Sequence, residues 1–303
     1  MSGADAAALE PRRGLHLPRL GRLWLAVPAV LIALVFFLVP LVLMGRVSLT
    51  EHVSGSAYVS GSWSAASYRH ILTDSLYLKS FVYTLWVSLV ATVVCLAVSY
   101  PLAYWISRAS AVVKVVLLFC VIVPLWTNLL TLLYGWLIIL SPGGFVSRWL
   151  IDTGLRDEPL HIVYNTPGVV IGLVQITMPY SILIITAVLA GIDPFLREAS
   201  RNLGAGRLRT FLTVTLPLSV PGIASASIVI FVWAMGEYAT PILLGSSDQR
   251  FVSQNIGEDM FAAFNWSRAS ALAVSLFSLI IVVLVVAQAA GRIAARRREA
   301  AAR

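Results

Sequence analysis

Charge is what this sequence has least of. Only 12% of its 303 residues are Asp, Glu, Lys or Arg, about half the share of an ordinary soluble domain, while 59% are hydrophobic. A soluble globular chain is excluded. Lysine is almost missing: Lys79 and Lys114 are the two present, and neither follows a glycine. A phosphate-cradling Gly-x4-Gly-Lys-Ser/Thr loop is therefore absent, because its lysine must reach the β- and γ-phosphates. The chain cannot itself be an ATPase of that type. The two cysteines, Cys95 and Cys120, lie in apolar runs with neither metal-ligand spacing nor a disulfide framework, and are expected to be small buried packing residues. The four histidines, His16, His52, His70 and His161, are scattered through loops. Zinc and serine hydrolase chemistry both need clustered groups, so no metal site and no catalytic residue is expected. Acidic residues are equally absent from the apolar runs, with Glu237 the exception. An ion-coupled secondary transporter would carry more intramembrane charge and repeated halves, and no internal repeat is visible. The net charge of +8 does not indicate nucleic acid, since the arginines flank apolar runs, where membrane lipid is the partner.

What is present is six long apolar runs, at about 23–45, 81–106, 115–140, 167–191, 218–244 and 269–291. Each is long enough to cross a hydrocarbon core of about 30 Å as helix. Helix is the form that satisfies every backbone polar group within one segment in lipid, and the runs are too long and too little alternating for barrel strands. The chain reads as an all-α integral membrane protein with six transmembrane helices. Its segments are a basic tail 1–22, a first helix 23–45 read as a retained anchor, an outer loop 46–80, a transmembrane body 81–291 and a basic tail 292–303. With the N-terminus inside, fifteen of the 22 basic residues fall on the cytoplasmic side and seven outside. That bias predicts both termini in the cytoplasm.

One inner loop, 192–217, stands apart, with REASRNLGAGRLRTFLTVTLP over 197–217. Asp193-Pro194 has the chemistry of a helix start, a capping carboxylate before a proline at the first helical position. Ala199, Ser200 and Gly204 are small, and Pro217 and Pro221 mark the entry to the fifth span. From the residues alone this is either a docking surface with a closely approachable backbone or an amphipathic connector resting on anionic headgroups.

The loop resembles the EAA loop of bacterial ATP-binding-cassette (ABC) type I import permeases. That pattern is Glu-Ala-Ala, three residues, Gly, nine residues, then an aliphatic residue, any residue and Leu-Pro. Here it reads Glu198-Ala199-Ser200, three residues, Gly204, nine residues, Val214, Thr215 and Leu216-Pro217. Every spacing matches, with Ser200 and Val214 as mild departures. VPLWTNLLTLLYGW (123–136), MPYSILIITAVLAGIDP (178–194) and FVWAMGEYATPILLG (231–245) resemble the spermidine/putrescine subgroup, although Thr131 stands where an arginine would be expected. The resemblance covers about 81–291. It implies the type I permease fold, with Glu198, Ala199, Ser200, Gly204, Leu216 and Pro217 coupling the chain to cytoplasmic ATPase subunits. In that arrangement Glu198 caps or anchors the docking helix, Ala199 and Ser200 form its close-contact face, and Gly204 permits its turn. It further implies a second permease subunit, usually a related chain, and an extracytoplasmic solute-binding protein. No cofactor is expected in this chain, ATP being bound and hydrolysed by the partner subunit. Polyamines are the implied substrate, with ferric iron, thiamine or a phosphonate as alternatives.

Glu237 lies about 30 Å along the fifth span from Pro217 at 1.5 Å per residue. Gly236 and Pro241 flank it, so the helix is expected to break there, beside a cavity or buried in protein. An ionisable group at that depth is a functional candidate, either as gate or scaffold or as a direct cation contact. Trp126, Asn128, Tyr134, Gln175, Tyr180 and Tyr238 are further path candidates, since aromatic faces suit alkylammonium groups, although aromatics also populate packing and interfaces. Pro101, Pro124 and Pro179 are expected to kink three spans. Gly168 and Gly172 form a small-residue packing motif at the start of the fourth span.

Overall fold

The computed structural model describes residues 19–53 and 61–301. Most of the N-terminal tail, including Arg12, Arg13 and His16, and part of the 46–80 loop lie outside the described residues. The described residues are helical, with no strand among them. Six helical stretches are long and apolar enough to cross a membrane.

The first helix, α1, runs Arg19–Val47, α2 is Ala66–Thr73 and α3 is the 34-residue Ser75–Arg108. The next two, α4 (Ala111–Ile122) and α5 (Leu129–Leu140), are followed by α6 (Phe145–Asp152) and α7 (Thr166–Ala190). Then come α8 (Pro194–Asn202), α9 (Arg207–Thr210), α10 (Leu216–Gly236), α11 (Ala239–Leu244), α12 (Val252–Gly257) and α13 (Trp266–Ala301).

Two expectations need correction. The run 115–140 is not one helix. The α4 helix ends in a 3-10 turn, Val123–Trp126, and α5 starts afresh. Pro124 has no N–H to continue the ladder. The Asn128 side chain accepts from Leu130 N at 2.9 Å and Thr131 N at 3.4 Å, capping the new helix. The membrane-length stretch in this region is Leu129–Asp152, α5 followed by α6. The fifth span begins before Pro217, because α9 continues through a π-helical turn, Phe211–Thr215, into α10. Prolines early in that column are tolerated where its hydrogen-bond register is already shifted. The sixth membrane-length stretch, Trp266–Ile293, matches its run, and α13 continues from it to Ala301. Pro101 and Pro179, in contrast, sit inside α3 and α7 without ending them.

The bundle is organised on α7, which packs against both α3 and α10. In its most apolar window 61% of residues are buried, against none in that of α1, which rests on α13 at the periphery. Lipid offers apolar side chains no hydrophobic reason to associate, so membrane helices pack through small residues that let backbones approach. The α3 helix has such a ridge, with Ala91, Cys95, Ser99 and Ala103 at every fourth position, all buried. Thr177 Oγ1 of α7 donates to Cys95 Sγ at 3.5 Å, and Tyr100 OH lies 2.9 Å from Ser219 Oγ of α10. Cys95 is buried as expected, but Cys120 is exposed on α4, on a face that no helix covers among the described residues.

The Gly168 and Gly172 pair works as a packing motif, seating α7 against α11. A Cβ at Gly168 would lie 2.7 Å from Ile162 O and 3.1 Å from Leu244 O, whereas one at Gly172 would meet side-chain atoms of Thr240 and Leu244. Backbone oxygens cannot rotate away. Gly168→Ala is therefore expected to cost about 1–3 kcal/mol, the range for overpacking, and Gly172→Ala less. Thermal unfolding of the two purified variants in detergent checks the order.

Candidate functional site

Two regions at opposite ends of the α9–α10 column hold the sequence candidates. At the first end, Asp193 caps α8, its carboxylate accepting from Phe195 N at 2.9 Å, with Pro194 at the first helical position. Capping thus belongs to Asp193. Glu198 stands in the middle of α8, exposed, as is Ala199, and no hydrogen bond or ion pair to the Glu198 carboxylate is found among the described residues. Ser200 is half-buried, and its Oγ lies 3.2 Å from Thr210 Oγ1, which ties α8 to α9. Gly204 turns the chain between them at φ +85°, in the left-handed region where glycine carries no Cβ penalty. A Cβ there would meet nothing within 4 Å. Leu216 is half-buried and Pro217 exposed at the start of α10.

Around this turn apolar side chains project outward. Leu203 is 89% exposed, and Phe195 and Leu208 are nearly as open. Arg197, Arg201, Arg207 and Arg209 are interspersed with them, and none forms an ion pair among the described residues. Apolar surface rimmed by charge on a short helix is the character of a contact surface.

At the other end the helix breaks at Glu237, as the flanking Gly236 and Pro241 suggest. Glu237 is 8% exposed and adopts an extended backbone between α10 and α11. Its Oε1 accepts from Ala239 N at 3.2 Å and Thr240 N at 3.3 Å, and its Oε2 accepts from Trp233 Nε1 at 3.1 Å. The carboxylate is thus engaged by three N–H donors of the chain itself, two of which the break sets free. The Glu237 carbonyl accepts from Ser253 Oγ at 2.6 Å, which ties the break to α12.

The path candidates separate. Gln175 and Tyr180 of α7 meet Trp233 of α10 around a cavity of about 160 Å³, with Pro124 and Pro179 in its wall. The Tyr180 and Trp233 ring centroids are 5.3 Å apart. Gln175 Oε1 is buried and has no hydrogen-bond partner among the described residues, and the rest of the wall is largely aliphatic, with Leu125, Leu129, Leu132 and Ile176. Trp126 is 87% exposed and Asn128 is occupied as the α5 cap; neither lines this cavity. Tyr134 is exposed on α5, and Tyr238 lines a separate cavity beyond the break. Sequence reading missed Trp233 and Ser253. Trp233 was findable, because a residue four before Glu237 shares its helical face. Ser253 was not, lying sixteen residues away across a loop.

Residues 98–299 match the family described as binding-protein-dependent transport system inner membrane component. The chain is 32% identical over 267 residues to the spermidine/putrescine transport system permease protein PotB of Haemophilus influenzae (strain ATCC 51907 / DSM 11121 / KW20 / Rd), covering 88% of this chain and 93% of that protein. PotB of Escherichia coli (strain K12) is 30% identical over 268 residues, covering 88% and 96%. Among solved structures, a bacterial alginate ABC transporter in complex with an alginate pentasaccharide-bound periplasmic protein has a chain that superposes with a TM-score of 0.73. The identity is 17%, covering 88% of this chain and 94% of that one; that likeness shows the fold, an ABC importer permease. Six membrane-length helices, this fold and these relatives make the chain a multi-pass protein of the bacterial inner membrane and a permease subunit of an importer. It belongs to the family of binding-protein-dependent transport system inner membrane components.

Proposed function

We propose that this permease imports polyamines, spermidine or putrescine, driven by ATP hydrolysis on a separate subunit. The observation that carries the substrate is the 30–32% identity to PotB proteins across 88% of the chain. The chemistry at membrane depth agrees with it: the Tyr180 and Trp233 rings on the cavity wall suit an ammonium on a methylene chain. In this reading α8 and the Gly204 turn form the coupling surface, with Leu203, Phe195 and Leu208 seated in a cytoplasmic ATPase and the arginines at the rim. Closure of the ATPase pair pulls on α8, and the α9–α10 column, about 45 Å long at 1.5 Å per residue, carries the movement to the break at Glu237. Glu237 is a scaffold of that hinge, not a solute ligand. A solute-binding protein and a second permease subunit complete the importer, with both termini of this chain in the cytoplasm.

Uptake of radiolabelled spermidine and putrescine, by cells that lack other polyamine importers and express this permease with its partners, tests the substrate. ATP-dependent accumulation of either is the expected result. No accumulation, with the subunits present in the membrane, removes the polyamine reading and directs the assay to ferric iron, thiamine and phosphonates.

A further inference from the structure

Beyond the break, at the end away from α8, two cavities of about 690 and 820 Å³ meet. Ser247, Arg250 and Glu258 line both, so the ion pair between Arg250 and Glu258 stands on the divide. The smaller cavity is walled by three aromatic rings, Tyr164, Tyr238 and Phe261. Tyr238 is pinned there by the backbone of α12: a Cβ at Gly257 would lie 2.7 Å from its ring.

The two adjacent carboxylates of the turn after α12 are in different situations. Asp259 is buried and held on both oxygens by Arg268, whose Nε donates to Oδ2 at 2.8 Å. Its charge is fixed in place. Glu258 is 55% exposed, and its partner Arg250 is 46% exposed. An ion pair this open contributes about 0–1 kcal/mol, so a competing cation displaces the arginine at little cost. Asp248 is a further carboxylate on the wall of the larger cavity. A carboxylate at the edge of an aromatic-walled cavity is a site for a cation carrying an apolar chain: the charge pairs with the carboxylate and the methylenes lie on the rings.

We propose that Glu258 is the cation subsite of an entry cavity for alkylammonium solutes, and that Arg250 is a built-in competitor that the solute displaces. This rests on the polyamine reading and deepens it. The site is also wired to the hinge. It sits on the turn following α12, and α12 holds the Glu237 carbonyl through Ser253, so occupancy of the cavity bears on the broken helix.

The experiment is calorimetric titration of spermidine into the purified importer in lipid nanodiscs, without its binding protein, for the wild type, Glu258→Gln and Arg250→Gln. Both residues are exposed, and thermal unfolding of each variant confirms the fold. Glu258→Gln is expected to weaken binding about tenfold, and Arg250→Gln to strengthen it about threefold by removing the competitor. Shifts in the same direction would mean that the pair serves only the local structure and would overturn the proposal. So would the absence of spermidine binding to a wild type that transports spermidine in cells, in which case the substrate reading stands. A wild type that neither binds nor transports polyamines overturns both.

Discussion

Gly204→Asp is expected to abolish transport while leaving the subunit in the membrane. The two halves of that expectation have separate causes. Within the chain the substitution is mild: the φ of +85° costs a non-glycine residue about 1 kcal/mol, and the new Cβ meets no atom within 4 Å. A stability loss of that size does not unfold a bundle held by the α3, α7 and α10 packing. Outside the chain it is severe if the turn is a docking surface. A carboxylate would then enter an apolar contact beside Leu203, and leaving a charge there unpaired costs several kcal/mol. Uptake is expected to fall at least 100-fold, with membrane abundance within twofold of wild type by quantitative immunoblot. Co-purification of the ATPase subunit should fall in parallel. Retained uptake would place the ATPase contact elsewhere and leave the loop as a connector on lipid headgroups.

Removing the Glu237 side chain is the second large effect, and here stability and not docking is affected. Glu237→Ala strips acceptors from Ala239 N, Thr240 N and Trp233 Nε1 at a buried position. Thr240 is buried, Ala239 half-buried and Trp233 39% exposed; a buried unsatisfied donor costs about 1–3 kcal/mol, so the variant is expected to unfold below the wild type by about that much. Glu237→Gln is the informative companion. Its carbonyl oxygen still accepts from the two backbone N–H groups, but its amide nitrogen faces the Trp233 N–H, donor against donor. Turnover is expected to slow several-fold with solute affinity unchanged. A tenfold loss of affinity at unchanged thermal stability would instead make the carboxylate a cation contact and refute the scaffold role.

Particular residues show where sequence reading stopped. Periodicity cannot distinguish one long apolar helix from two shorter ones end to end. The run around Pro124 therefore read as a single span, although the capping carboxamide of Asn128, four residues on, is the chemistry of a new helix start. Asn128 and Trp126 were grouped as path candidates because aromatic and amide side chains have several uses in a membrane, and only the neighbours of each choose among them. Asp193 is legible as the cap of α8 from the proline that follows it, whereas Glu198, which the resemblance makes a cap or an anchor, stands too far into the helix to cap it.

By itself the sequence determined the class, the number of membrane-length stretches, the lack of a Gly-x4-Gly-Lys phosphate loop and which loop carries the EAA-like spacing. These follow from composition and spacing: low charge and apolar length leave helices in lipid as the only form, and the missing glycine-lysine phosphate loop cannot be restored by folding. Tertiary structure decided what the side chains do. Glu237 became a cap when Trp233, Ala239 and Thr240 closed on it, Gln175 acquired its niche when α7 met α10, and Glu258 differed from Asp259 once Arg268 reached only one of them. A carboxylate's role depends on which donors lie within about 3 Å, and at 237 and 258 those donors come partly from other elements, distances that no spacing along the chain contains.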